Sequence, residues 1–216
     1  MKKFFLMIAA AIVLSLTACG SNNTGHNLHD YEVGIYDDSG EVETMWVMAD
    51  YPHYESIAHL ASYATDVIRV EILDERAEWL NTWLEAPPPE IDPYNLYTVY
   101  RIKVLEVFQG DAAAGDILEV RQLGGQKDGL RVINKDEVPL VVGDDLVLFL
   151  RASYIENFPS VLLNPYQSAY RFPVANEDIM TIRANETLES VHLENDLTLT
   201  VEDLVQILAN NSARND

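Results

Sequence analysis

Residues 96–108 constrain the fold of this chain more than any other stretch. Tyr100, Ile102 and Val104 alternate with Arg101 and Lys103, the period-two signature of a strand with one buried face. Past Val104 the parity reverses, because Leu105 and Val107 are apolar and Glu106 is polar. One inserted residue produces such a flip, so the pattern predicts a β-bulge near Val104-Leu105. A bulge bends its strand hard, as closure of a small barrel requires.

A bent strand needs neighbours, and the flanking sequence provides them. Residues 67–73, after Asp66, place Ile68, Val70 and Ile72 on one face and Arg69 and Glu71 on the other. Beyond a Gln109-Gly110-Asp111 turn, residues 116–123 point Leu118 and Val120 inward and Glu119 and Arg121 outward. Gly124-Gly125 ends that strand. Residues 138–142 and 146–150 read as two more, joined at Gly143-Asp144. The second is apolar on both faces, as expected of a strand covered on both sides. Residues 160–163 and 167–172 give two short strands, and residues 31–46 a small hairpin.

Two helices accompany these strands. In residues 53–63, Ile57, Leu60 and Ala61 share one face, with Ala58 beside them. Thr200 caps a final helix, with Asp203 reaching back as in a capping box. Val201, Leu204, Val205 and Leu208 form the buried face expected of it. Residues 76–93 read as an excursion between two strands. Trp79, Trp83 and Leu84 suit one side of a short helix that Pro87 ends. Its tryptophans either pack down on the barrel or dock a ligand.

The N-terminus carries an export signal. Lys2 and Lys3 precede an apolar run, residues 4–16, too short for a spanning helix of about 20 apolar residues but of signal-peptide length. Leu16-Thr17-Ala18-Cys19-Gly20 resembles the bacterial lipobox, which implies lipidation at Cys19. The expected organisation is a signal peptide over residues 1–18 and a lipidated, flexible tether over 19–30. A single β-rich domain over 31–216 follows, with its barrel core at about 57–172. Cys19 is the sole cysteine, so no disulfide forms within the chain and stability must come from an apolar core. The formal net charge of −21 repels phosphates, which argues against a nucleic-acid partner.

From Ile57 to Phe172 the order of elements is distinctive. A helix leads into Asp66-Val67-Ile68, then a long loop, then a strand ending in Phe108-Gln109-Gly110. Gly115-Asp116, Gly124-Gly125, Val142-Gly143-Asp144 and Leu148-Phe149-Leu150 follow. This run resembles bacterial surface lipoproteins built on a small OB-like barrel, similar to the netrin-like domain of tissue inhibitors of metalloproteinases. The resemblance implies a mainly β fold: an OB-like Greek-key barrel, a helix before the first barrel strand and a C-terminal helix. Those inhibitors bind the catalytic zinc of their target through a free N-terminal cysteine. An acylated Cys19 has no free amine and no disulfide partner, so that mode of inhibition does not carry over.

No catalytic motif stands out. The chain lacks Gly-x-Ser-x-Gly, a phosphate-cradling glycine loop and a His-Glu-x-x-His helix. His26, His29 and Asp30 fall in the tether, and His53 and His59 are six apart, on different sides of a helix. Asp37-Asp38 and Asp144-Asp145 lack a calcium-loop pattern around them and read as turn residues. The glycine-rich stretch 124–129 is either a wide rim turn or a ligand loop. The expectation is a membrane-tethered, extracytoplasmic, non-enzymatic binding module without metal or cofactor. Its expected partner is an extracytoplasmic protein or glycan, met by a rim carrying Trp79, Trp83, Gly124 and Gly125. An envelope-polymer hydrolase and an extracellular protease inhibitor are the alternatives. A pocket of convergent buried carboxyls or histidines favours the hydrolase.

Overall fold

The parity flip is a bulge in three dimensions. In the computed structural model, which describes residues 42–83, 94–155, 157–172 and 185–215, Val70 pairs with Val104 and Arg69 with Glu106, leaving Leu105 unpaired. A second irregularity leaves Phe108 unpaired between Val107 and Gln109. The elements are β1 (Glu43–Val47), α1 (Ile57–Tyr63), β2 (Asp66–Asn81), β3 (Tyr94–Gln109), β4 (Ile117–Leu123), β5 (Gly125–Lys127) and β6 (Leu130–Asn134). They continue as β7 (Asp145–Arg151), β8 (Ser160–Leu162), β9 (Ala169–Arg171), β10 (Thr187–Ser190), β11 (Leu199–Thr200) and α2 (Val201–Asn215).

β2, β3, β4, β7 and β8 close a five-stranded barrel. β2 pairs with β3 and β3 with β4, both antiparallel. β4 runs parallel to β8, β8 returns antiparallel to β7, and β7 closes antiparallel on β2. That connectivity is the Greek-key order of an OB barrel. β9, β10 and β11 extend the sheet outward from β7, while β1, β6 and β5 form a separate three-stranded sheet.

The two faces of β2 and β7 bury different cores. Ile68, Val70, Ile72, Leu146, Leu148 and Leu150 fill the barrel interior with Tyr100, Ile102, Val104 and Val120. Val67, Val147 and Phe149 face outward onto a second core with Phe108 and Tyr170, which α1 and α2 cover. Coverage of both faces explains the unbroken apolar run of β7. Thr200 and Asp203 form the capping box: Asp203 N–H donates to Thr200 Oγ1 at 3.2 Å, and Asp203 Oδ2 accepts from Thr200 N–H at 2.9 Å. α2 buries Val201, Leu204 and Ile207, whereas Val205, expected inside, is exposed. The helix lies on the core along a narrow stripe, and Val205 is one step around from it.

Two further expectations are corrected, the excursion over residues 76–93 and the strand over residues 138–142. Arg69 does point away from the barrel interior, but it is buried, because Phe172 lies over its guanidinium at 3.5 Å. β2 and β3 do not stop for an excursion. They continue as a long hairpin in which Trp79 pairs with Leu96, so the helix expected there is strand as far as Asn81; residues 84–93, with Leu84 and Pro87, lie outside the described residues. Residues 138–142 are not a strand. Pro139 has no N–H to give a ladder, and Gln122 on β4 holds the segment instead, donating to Val138 O at 3.1 Å and accepting from Leu140 N–H at 3.3 Å. Residues 31–41 of the hairpin expected at 31–46 lie outside the described residues. Its described end, β1, pairs in parallel with β6.

Candidate functional site

Gly124 and Gly125 lie where β4 leaves the barrel and turns into β5, and both have positive φ, 119° and 132°. Close approach adds to the conformational demand. A Cβ on Gly124 would sit 2.9 Å from Val132 O, and one on Gly125 2.9 Å from Thr98 Oγ1. The glycines therefore bring the β5–β6 hairpin down against β3. Between them opens a cleft of about 350 Å³ lined by Thr98, Tyr100, Gln122, Arg131, Asn134 and Glu137, among others.

Glu137 is the chemically unusual group of this cleft. Its Oε1 accepts from Tyr51 OH at 2.7 Å, Asn134 Nδ2 at 3.1 Å and the Leu123 N–H at 3.4 Å. Its Oε2 has no partner and is buried. Part of the residue still reaches the surface, so the burial belongs to the carboxyl end rather than to the whole side chain. Burial pushes its pKa up to about 7, against hydrogen bonds from Tyr51, the Leu123 N–H and Asn134 that favour the anion, and neighbouring Asp136 raises it further. The Tyr51 hydroxyl is pushed up as well, by burial first and then by the charge of Glu137.

A second, larger opening of about 560 Å³ lies on the far side of Tyr51, with Asp50, Asp136, Tyr166, Glu194 and Asp196 in its walls. Asp136 Oδ1 accepts from Tyr166 OH at 2.6 Å, and its Oδ2 from the Ala49 N–H at 3.2 Å. His53 Nε2 lies 3.4 Å from Asp196 Oδ2. Among the described residues, no three His, Cys, Asp or Glu side chains form a group able to hold a metal ion.

The residues singled out from sequence are only partly brought together. Trp79 joins the glycine rim: its Nε1 donates to Asp128 Oδ2 at 3.0 Å, and it packs with Ala77, Leu123 and Leu130 around Val47, Leu96 and Val132. That indole packs, half-buried, into a small third core. Trp83 lies beyond the end of β2, 42% exposed. The stretch 124–129 is neither a wide turn nor an open loop, because it contains β5 and a tight Asp128-Gly129 turn into β6. Asp144 and Asp145 pair with Arg171 and Arg69, each at 2.7 Å, and so are not poised for calcium. His53 and His59 stay apart; His59 packs edge-on against Tyr54 and Tyr63. Cys19, His26, His29 and Asp37-Asp38 lie outside the described residues. Glu137 and Tyr51 were not foreseen. The one cue is that Asp136-Glu137 abuts the apolar Val138-Pro139-Leu140 run, an unusual place for two solvated acids.

No family model matches this chain, and no curated protein is significantly similar to it.

Proposed function

We propose that this chain is a lipoprotein tethered to a membrane through Cys19, working outside the cytoplasm as a non-enzymatic binding module. Its ligand seat is the rim cleft between β3–β4 and the β5–β6 hairpin. The lipobox-like run ending at Cys19 and the resemblance to surface lipoproteins with an OB-like barrel support the tethering. Among the described residues no helix is long and apolar enough to cross a membrane.

The observation that carries the binding reading is the lining of the cleft. It sets the exposed amide of Gln126 beside apolar Leu123 and Val132, a mixture that orients an uncharged or weakly charged ligand, while the amides of Gln122 and Asn134 are engaged within the fold. Among the described residues, Glu137 is its one carboxyl, and neither histidine, serine nor cysteine lines it. The Thr98 hydroxyl is engaged by Gly124 O at 3.0 Å. A carboxyl near neutrality suits a general acid, which is the point in favour of an envelope-polymer hydrolase. Glycoside hydrolysis asks for a second carboxylate facing the first across the scissile bond, and the cleft has none among the described residues.

The ligand class proposed is an extracytoplasmic glycan or a short protein segment. Calorimetric titration of the detergent-solubilised full chain with envelope oligosaccharides and short envelope peptides tests it. Wild type is expected to bind one of these classes. Gln126→Trp, which places a bulky side chain from an exposed rim position into the cleft, is expected to weaken binding at least about tenfold with its melting temperature unchanged. Equal binding by both proteins would remove the rim cleft as the seat, and release of new chain ends from an envelope polymer would establish the hydrolase instead.

A further inference from the structure

Residues 48–54 carry no helix or strand, yet they lie against the barrel between β1 and α1. Side chains of other elements hold them in place of a backbone ladder. The Ala49 N–H donates to Asp136 Oδ2, and Tyr51 OH to Glu137 Oε1 at 2.7 Å. Asn164 Nδ2 donates to Pro52 O at 2.8 Å. Gln167 grips Tyr54 twice, accepting from its N–H and donating to its C=O, both at 3.0 Å. Two of these holding groups are the carboxyls of one turn, residues 136 and 137.

We infer that residues 48–54 form a strap latched to the barrel by protonated Glu137, and that loss of this proton releases the strap. The geometry sets the direction. Once ionised, Glu137 keeps three donors on Oε1 and has none on Oε2, which is buried and out of reach of water. An anion with one bare oxygen in such a place is strongly disfavoured. The groups facing it give no relief. Tyr51 from the strap and Tyr100 from β3 are neutral, Asn134 and the Leu123 N–H are neutral donors already in use, and Asp136 is a second acid. Arg131 lines the same cleft but makes no ion pair with Glu137. Lifting Tyr51 away opens the carboxylate to water, so the ionised form favours the open strap.

Linkage gives the pH window. The closed-state pKa of about 7 lies above the ordinary carboxyl value of 4.5 that applies once the group is hydrated. Closure is therefore strongest below about pH 4.5, weakens as pH rises through about 7, and changes little beyond.

Amide hydrogen exchange on the detergent-solubilised full chain tests the latch, with rates normalised for intrinsic exchange. Protection of Ala49 and Tyr54 is expected to fall about 20-fold between about pH 5.5 and pH 7.5, while β7 amides change much less. In Glu137→Gln, which stays neutral, strap protection is expected to be flat over the same range. A flat wild-type profile, or the same fall in Glu137→Gln, overturns the inference. Tyr51→Phe provides the check should Glu137→Gln fold poorly. It is expected to lower strap protection at pH 5.5 with β7 unaffected, and unchanged strap protection there overturns the latch. These readouts need no ligand, so they stand apart from the fate of the rim cleft.

Discussion

Replacing Arg69 with alanine is expected to destabilise the domain by about 3–5 kcal/mol. Its Nε and Nη2 form a two-pronged pair with Asp145, at 2.8 Å to Oδ1 and 2.7 Å to Oδ2, and Phe172 covers its guanidinium. Arg69 is 4% exposed and the Asp145 side chain 17%. Truncation leaves the Asp145 carboxylate facing the hole without its donors, and that unpaired charge supplies most of the loss. Removing both members is expected to be milder, since Asp145 then goes with its partner and only the partly exposed Glu106, 4.0 Å from Arg69 Nη1, loses a cation. Urea unfolding of Arg69→Ala and of Arg69→Met with Asp145→Leu checks both expectations. Equal losses in the two proteins would show that packing under Phe172 matters, and the ion pair does not.

Leu148→Ala is expected to lose about 2–5 kcal/mol in the same measurement. Leu148 has no exposed area and sits mid-strand on β7, pairing with Ile68 on one side and Ala169 on the other. Its side chain fills the barrel interior, where a five-stranded barrel has little room to collapse around a void. A loss below about 0.5 kcal/mol would mean that the interior relaxes to fill the hole, contrary to a closely packed barrel.

What could be read in the sequence depends on how locally each feature is encoded. The bulge at Leu105 is legible because an inserted residue rewrites the polarity of everything after it. The capping box at Thr200 and the doubly covered β7 are equally local. The long β2–β3 hairpin is less so. Arg76 and Glu78 alternate with half-buried Ala77 and Trp79 and pair with each other at 2.9 Å, but Arg76 also reaches across to Glu119 on β4 at 2.7 Å. Without that cross-strand partner, the spacing of Trp79 and Trp83 suggests a helix just as well. Residues 138–142 mislead in the opposite direction, since the valines favour a strand while Pro139 and the amide of Gln122 decide otherwise.

The candidate site was the least legible part. Glu137 becomes unusual only when Tyr51, 86 residues away, and Asn134 close over it. Gly124 and Gly125 were legible as a break, but not as the floor of a cleft, because the cleft also needs β6 and the rim of β3. Trp79 reads in the sequence as either packed on the barrel or docking a ligand, and in the structure it joins the hairpin to the β5–β6 turn through Asp128.

The proposal that this chain is an extracytoplasmic binding module, and not simply a barrel with a cleft, rests on tethering at Cys19, and the mature N-terminus tests it most directly. Membrane and soluble fractions of bacteria producing the full chain and Cys19→Ser are to be compared by fractionation and intact mass. Wild type is expected in the membrane fraction, beginning at Cys19 and heavier by its acyl chains. Cys19→Ser is expected to appear either unprocessed or in the soluble fraction, with no added lipid mass. A Cys19→Ser protein that is still processed and still bound to the membrane would contradict the account.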